Sequence, residues 1–180
     1  LSIHSFPTRR SSDLQLLRAI GAKVIATAST AEKLQLAKEN GADELVNYKT
    51  QDFVAEVSRI TNGAGVAAVF DGVGAATFEG SFASVAKKGS LVSFGNASGP
   101  VPPFTIARLG AKNIKILRPR LGGYVETREE FETYAGELFG FIADGKVGVK
   151  VHGRYKLEDI AKATGELEGR GTVGKLLLAL

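Results

Sequence analysis

A predicted strand near residue 28 runs directly into a helix start that carries a positive charge. Residues 24–27 form an apolar, β-branched run, which predicts a buried strand. Residues 29–32, just beyond this run, read STAE, the pattern of a capping box that opens a helix. The exposed N–H groups at a helix N-terminus favour an anion, and Lys33 adds a full positive charge one turn into the helix. These residue types therefore indicate an anion-binding site.

The residues at the end of this predicted strand decide which anion fits. In an open α/β sheet, the ribose of a nucleotide lies at the carboxyl end of such a strand. NAD sites place an Asp or Glu there, which accepts from the ribose hydroxyls and repels a 2′-phosphate. Ala28 and Ser29 stand at this position instead, so we predict a 2′-phosphate pocket and NADPH as the cofactor. From these residues alone, an ordinary capped surface helix with a solvated lysine is the alternative.

Length and composition limit the classes of protein to consider. A chain of 180 residues is long enough for one domain with a sizeable core and marginal for two. Hydrophobic residues make up 44% of it, and no apolar run approaches the roughly 20 residues of a membrane span. The net charge of +4 comes without a cluster of basic and aromatic residues, which disfavours nucleic acid as a partner. We expect neither a membrane nor a nucleic-acid partner.

Metal ligands of the usual kinds are scarce in the sequence. The chain has no cysteine, which excludes disulfides and thiolate zinc ligands and fits a reducing, cytoplasmic setting. His4 and His152 are far apart in the sequence and do not predict a metal site.

Strand and helix patterns alternate over most of the chain. The predicted elements are strand 23–28, helix 30–40, strand 44–47, helix 52–61, strand 66–70, helix 76–87 and strand 90–94. This alternation predicts an α/β fold, a Rossmann-like doubly wound parallel sheet with helices on both faces. Beyond Pro103 we expect a short helix at 104–109, an edge strand at 113–118, a helix after the Thr127 and Glu130 capping box, a strand at 149–155, a helix at 157–168 and a strand at 175–180.

Two pairs of glycines punctuate this pattern. Gly72 and Gly74 follow a predicted strand and open a helix, which indicates either a close approach of backbone to a ligand or a tight turn. Gly63 and Gly65 precede a strand, which is the wrong side for phosphate. A complete G-x-G-x-x-G loop would have to stand just before Gln15, and the sequence has none there.

Residues 1–14, LSIHSFPTRRSSDL, differ in character from the chain that follows. They show no helix or strand period, so we predict a non-native segment similar to translated adapter sequence on a truncated chain; a disordered native tail is the alternative. In the strand order 3-2-1-4-5-6 the first strand is central, and we expect the sheet to lack it together with its glycine loop. Unpaired backbone groups would then leave the fold marginal unless residues 1–7 pair as a substitute strand.

Six short motifs occur in an order that resembles one superfamily. They begin at Ser29, Asn47, Val69, Val92, Arg118 and Arg170 and read SxxxK, NY, VFDGVG, VSFGNASG, RP and RGTxGK. From residue 15 to residue 180 the chain resembles the zinc-free NADPH:quinone oxidoreductases, the zeta-crystallin-like group of the medium-chain dehydrogenases/reductases. The resemblance implies a dinucleotide-binding domain over residues 15–148. Residues 149–180 would be the C-terminal part of a GroES-like catalytic domain.

The resemblance also implies where a bound cofactor would lie. Ser29, Lys33 and Tyr48 would surround the adenosine 2′-phosphate. The other implied cofactor-binding residues are Gly72 and Val73 along the cofactor, Phe94, Gly95 and Asn96 by the nicotinamide, and Arg170 from the C-terminal segment.

When the family resemblance is set aside, the residue types at these positions have simpler structural interpretations. Tyr48 and Phe94 fit a half-buried and a core aromatic side chain, and residues 96–99 fit a turn. Arg170 fits a solvated residue in a glycine-flanked loop. We interpret Arg118 as a charge on an edge strand.

The reaction implied by the resemblance is hydride transfer from NADPH to a quinone, for which the cofactor supplies the chemistry. No residue is assigned as a catalytic acid or base, and no metal is implied. Because most of the catalytic domain is missing, we expect the full-length parent to be the active enzyme, a homodimer joined through residues 113–118, and this chain to have little or no activity. The alternatives are a reductase-like NADPH-binding protein without turnover, a fragment of a zinc alcohol dehydrogenase relative, and a methyltransferase.

Overall fold

The computed structural model describes residues 2–5, 11–169, 172 and 174–179. Its strands are β1 (Ser2–Ser5), β2 (Val24–Ala28), β3 (Glu44–Asn47), β4 (Val66–Asp71), β5 (Val85–Ser93), β6 (Lys115–Leu117), β7 (Val151–Lys156) and β8 (Lys175–Ala179). Its α-helices are α1 (Ser11–Ala19), α2 (Ala31–Glu39), α3 (Phe53–Ile60), α4 (Phe78–Ser84), α5 (Arg128–Ala143) and α6 (Ile160–Glu168). Short 3-10 helices lie at Ile106–Ala111, Leu121–Gly123 and Leu157–Asp159.

Strands β1 to β6 form one parallel sheet in the order β3-β2-β1-β4-β5-β6. This is the predicted doubly wound order, with β1 at the centre. Apolar residues cover both faces of β2, because Ile25 belongs to one apolar core while Val24 and Ala26 belong to another. Side chains alternate between the faces of a strand, so the two cores lie on opposite sides of the sheet. The predicted α/β fold class is confirmed.

The centre of the sheet is filled, so the prediction that the first strand is missing is wrong. β1 lies inside the segment predicted to be non-native, and it pairs with β2 from Ser2↔Val24 to Ser5↔Thr27 and with β4 from Ser2↔Ala68 to His4↔Phe70. The structure therefore contains the substitute pairing that was named as the condition for a stable sheet. Parallel pairing uses only backbone N–H and C=O groups, so a strand can occupy this position without an apolar sequence pattern.

Helix α1 also begins inside the segment predicted to be non-native. Its residue Leu14 is fully buried and belongs to the same apolar core as Val24, Ala28 and Ala37. Part of that segment is therefore part of the hydrophobic core of the sheet.

Three of the α-helices, α2, α3 and α5, begin at a residue whose side chain caps them. α3 begins after Asp52, within one residue of the predicted start, and the Asp52 carboxylate accepts from the N–H groups of the first helical turn. Thr127 and Glu130 form the predicted reciprocal capping box of α5. The predicted capping box of α2 is wrong in register, because Thr30 and not Ser29 is the N-cap; its hydroxyl accepts from Lys33 N at 3.3 Å.

The predicted helix over residues 76–87 is too long. α4 ends at Ser84, and Val85 opens β5 in an extended conformation. Val85 is fully buried and pairs with Val66 of β4. Burial of a β-branched side chain in the sheet therefore overrides the helical pattern of the sequence.

Strands β7 and β8 form a separate parallel pair after α5. Large apolar side chains are exposed on α5, on these strands and around α6: Phe131, Tyr134, Leu138, Phe139, Val151, Leu157, Ile160, Leu177 and Leu178. Four of these exposed side chains, at residues 131, 134, 138 and 139, belong to α5. Among the residues described, no helix has both the length and the apolarity that a bilayer crossing requires.

Replacement of Leu14 tests whether the start of the chain belongs to the core. Leu14 is 0% exposed and Ile20, at the end of the same helix region, is 68% exposed. Leu14→Ala should lower the free energy of unfolding by about 2–5 kcal/mol, because it leaves a cavity in the core. Ile20→Ala is the matched control and should change it by less than about 0.5 kcal/mol. Urea unfolding measures both, and an equal effect of the two substitutions would contradict this packing.

Candidate functional site

The connections that follow four of the strands meet at one edge of the sheet. Parallel strands all end at the same edge, and Ala28 pairs with Asn47 while Asp71 pairs with Ser93 at the ends of β2 to β5. These connections and the first turn of α2 carry eight predicted site residues: Ser29, Lys33, Tyr48, Gly72, Val73, Phe94, Gly95 and Asn96. The ninth, Arg170, lies outside the described residues.

The residues predicted for a 2′-phosphate come from three neighbouring segments: Ser29 follows β2, Lys33 lies in the first turn of α2, and Tyr48 follows β3. Ser29, Lys33 and Tyr48 are each half-buried. Tyr48 N donates to Ala28 O at 3.1 Å, which holds the turn after β3 against the end of β2. Thr30 caps α2, so the first-turn N–H groups of the helix begin right beside the end of the strand. This geometry offers positive potential and partial burial to an anion.

Buried Asp71 organises the turn after β4. The residue is 1% exposed, and its Oδ1 accepts from Val73 N at 2.8 Å and from Gly74 N at 3.0 Å. Thr77 Oγ1 donates to the carboxylate at 2.8–2.9 Å, and Ser81 Oγ donates to Oδ2 at 2.7 Å. A buried carboxylate is stable only with such partners. Asp71 therefore fixes the path of the predicted cofactor turn and ties it to α4.

Our sequence reasoning missed this role of Asp71. A usable signal exists, because an acid that ends a continuous apolar strand must find donors if the sheet buries it. The donors Thr77 and Ser81 lie six and ten residues further along the chain, which no short motif connects to the acid.

The turns after β4 and β5 interlock through their backbones. Phe94 N donates to Asp71 O at 2.9 Å, and Ser98 N donates to Val73 O at 2.8 Å. A Cβ on Gly95 would lie 2.9 Å from Gly72 Cα and closer still to Gly72 O, so only glycine fits here. The two glycine-containing turns therefore form one backbone surface at the edge of the sheet.

Arg118 joins this surface from the edge of the sheet. It follows β6, and its Nη1 donates to Ser93 O at 2.9 Å and to Gly95 O at 3.3 Å. The side chain thus does more than place a charge on an edge strand. It contacts the backbone on both sides of Phe94.

An exposed ion pair joins α4 to the segment before β6. Arg108 donates to both carboxylate oxygens of Glu79 and stacks on the ring of Phe82 at 4.8 Å from its centroid. The hydrogen bond from Arg108 lowers the pKa of the Glu79 carboxyl. Both side chains are exposed to solvent, so the pair contributes little to stability.

Two cavities of the molecule lie away from this edge. One, of about 520 Å³, lies between the turn at residues 61–65 and residues 86–89 of β5. The other, of about 450 Å³, lies between α1, the end of α2 and residues 145–148. Neither of them is lined by a predicted site residue. The candidate site is thus formed by turns on the sheet edge and not by these cavities.

The described residues do not offer a metal site. The sequence has no cysteine, and residues 2–5, 11–169, 172 and 174–179 contain no group of three or more His, Asp or Glu side chains that could hold a metal ion. This donor set does not fit zinc.

A family model described as zinc-binding dehydrogenase matches residues 13–139. The quinone oxidoreductase of Salmonella typhimurium is 42% identical over 167 residues, which cover 91% of this chain and 51% of that relative. The 2-haloacrylate reductase of Burkholderia sp. is 34% identical over 163 residues, which cover 89% of this chain and 49% of that relative. The chain thus spans about half the length of these curated relatives.

A solved structure shows the same similarity in three dimensions. Escherichia coli quinone oxidoreductase, solved as a complex with NADPH, superposes with a TM-score of 0.89 at 37% sequence identity. The alignment covers 99% of this chain and 56% of that one.

Replacement of Asp71 tests the network under the cofactor turn. Asp71→Asn removes the charge that accepts from Val73, Thr77 and Ser81, and should lower the free energy of unfolding by about 1.5–3 kcal/mol, the range for hydrogen bonds to charged groups. Asp144→Asn is the matched control, because Asp144 forms an exposed pair with Lys146 that should contribute less than about 1 kcal/mol. Chemical unfolding compares the two variants. A loss at Asp71 no larger than the loss at Asp144 would refute the role of the network.

Proposed function

The chain belongs to the zinc-binding dehydrogenase family of the medium-chain dehydrogenases/reductases, and from this we propose that it is the NADPH-binding part of a quinone reductase. Two observations support the proposal. The relatives of Salmonella typhimurium and Escherichia coli are named quinone oxidoreductases, and the Escherichia coli enzyme was solved with NADPH. Eight of the nine predicted cofactor residues lie along one edge of the parallel sheet, which is where open α/β sheets bind nucleotides.

The 2′-phosphate of NADPH would lie at the connection after β2. The carboxyl end of β2 carries Ala28 and Ser29, so no acid stands there to repel a phosphate. Lys33 supplies a full positive charge, and the capped N-terminus of α2 adds N–H groups that favour an anion. Tyr48, held against the end of β2, would close the other side of this pocket. This charge arrangement is the observation that carries the assignment of NADPH.

The nicotinamide would lie beside Phe94, Gly95 and Asn96, with Gly72 and Val73 along its path. When bound, NADPH supplies the hydride. The chain contributes orientation, because the interlocked turns after β4 and β5 present a fixed backbone surface with no side chain at Gly95. The half-buried ring of Phe94 would exclude water from one side of this surface. No side chain is needed as an acid or base in this account.

The residues present fit the two ends of NADPH better than its middle. In this fold a glycine-rich loop between the first strand and the first helix holds the pyrophosphate. Here residues 6–10, FPTRR, connect β1 to α1, and residues 1–14 contain no glycine. We therefore propose that binding depends mainly on the adenosine phosphate and nicotinamide ends. Turnover would further require the part of the relatives that this chain does not cover, which leaves the chain itself with little or no activity.

We also propose a division of the chain into two domains and a dimeric assembly of the full-length protein. The separate β7 and β8 pair supports an assignment of residues 149–180 to a catalytic domain, with residues 15–148 as the dinucleotide-binding domain. Arg170 in the C-terminal segment would reach the cofactor from there. β6 is an edge strand of the large sheet, which supports a homodimer of the full-length protein through residues 113–118.

One relative favours a second substrate class. The 2-haloacrylate reductase of Burkholderia sp. shares 34% identity with this chain over 163 residues. An activated alkene is therefore the alternative acceptor to a quinone. Comparison of the two as oxidants of NADPH by the full-length protein would separate them.

Replacement of Lys33 tests the assignment of the cofactor. Lys33→Ala should weaken NADPH binding by roughly tenfold and leave NADH binding within about twofold, because only NADPH carries the 2′-phosphate. Lys38→Ala, at the exposed end of the same helix, is the control and should affect neither cofactor. Calorimetric titration of each variant with both cofactors provides the measurement. Equal weakening of NADPH and NADH by Lys33→Ala would overturn the 2′-phosphate assignment.

A further inference from the structure

The strand pairing beside the predicted nicotinamide segment stops one residue short of the end of β5. β5 pairs with β6 from Ser90↔Lys115 to Val92↔Leu117. Ser93 is the last residue of β5, is 6% exposed and lies beyond this register. A buried carbonyl at the end of a ladder needs a donor from elsewhere.

Arg118 provides this donor from the residue that follows β6. Its Nη1 donates to Ser93 O at 2.9 Å, and the same nitrogen lies 3.3 Å from Gly95 O. These two carbonyls flank Phe94, so one guanidinium holds the backbone on both sides of that residue. Hydrogen bonds from a charged donor are stronger than bonds between neutral groups.

The same segment is held from its other side by the turn after β4. Phe94 N donates to Asp71 O, Ala97 N donates to Gly72 O at 3.4 Å, and Ser98 N donates to Val73 O. The segment from Ser93 to Ser98 thus lies between backbone contacts from β4 and side-chain contacts from Arg118. Removal of the guanidinium would release it on the β6 side only.

We propose that Arg118 is a positioning residue for the nicotinamide end of the cofactor. The inference rests on the proposed function, because that function assigns the nicotinamide to Phe94, Gly95 and Asn96. Arg118 acts through the backbone of this segment, and the adenosine end at Ser29, Lys33 and Tyr48 lies on the opposite half of the sheet, beyond β1. The role therefore predicts a loss confined to one end of the ligand.

The positioning role is tested first in the chain without ligand. Arg118→Ala should raise the amide hydrogen exchange of residues 93–98 by roughly tenfold, while the exchange of β2 and α2 stays unchanged. Arg120→Ala is the matched control, since Arg120 is an exposed arginine two residues further along the chain with no side-chain capping bond. Unchanged exchange of residues 93–98 in Arg118→Ala would overturn the inference independently of any cofactor.

The second test measures the binding affinity of two ligands, NADPH and adenosine 2′,5′-bisphosphate. The bisphosphate lacks the nicotinamide. Arg118→Ala should weaken the binding of NADPH by roughly tenfold and change the binding of the bisphosphate by less than about twofold. Arg118→Lys should recover part of the lost NADPH affinity, because an ammonium group can donate to the same carbonyls. Equal weakening of both ligands, or of neither, would overturn the positioning role. If the wild-type chain binds the bisphosphate and NADPH equally well, the nicotinamide assignment and the positioning role both fail. If it binds neither, the proposed function fails while the exchange result still decides whether Arg118 holds the segment.

Discussion

Parallel pairing of the strands brings the candidate site together. Parallel strands have no hairpins between them, so each must be fixed by its neighbours, and β1 pairs with both β2 and β4. This central strand joins the half of the sheet that carries Ser29 and Tyr48 to the half that carries Gly72 and Phe94. Without this strand, the two halves of the sheet would have no fixed relative position. The residues proposed for the adenosine end and those proposed for the nicotinamide end could then not contact the same ligand.

The elements that the sequence predicted well are those set by local chemistry. The capping box of Thr127 and Glu130 joins residues three positions apart, and the continuous apolar run at residues 66–70 forms strand β4 as predicted. Two of the predictions that were wrong depend on distant partners. β1 is defined by its pairing with β2 and β4, and Val85 leaves the helical pattern because it pairs with Val66.

The same distinction separates the parts of the site. The positions of glycines and of strand ends in the sequence predicted which turns reach the carboxyl edge of the sheet, because both are local features. The donors that hold the turns were not predictable in this way. Asp71 depends on Ser81 ten residues away, and Arg118 contacts Ser93 and Gly95, which are 25 and 23 residues away along the chain. The exposed apolar side chains of α5, β7 and β8 belong to a chain that spans about half the length of its relatives. Under the proposed function, the chain would bind the cofactor, and the half of the relatives that it does not cover would select the acceptor.

Amide chemical shifts of the isotopically labelled chain, recorded during titration with NADPH, test the central claim most directly. The account predicts that the perturbed amides cluster at the carboxyl edge of the sheet, in the turns after β2, β3, β4 and β5. It would be contradicted if the shifts clustered at the opposite edge, around residues 61–65 and 86–89, or if saturating NADPH perturbed no amide.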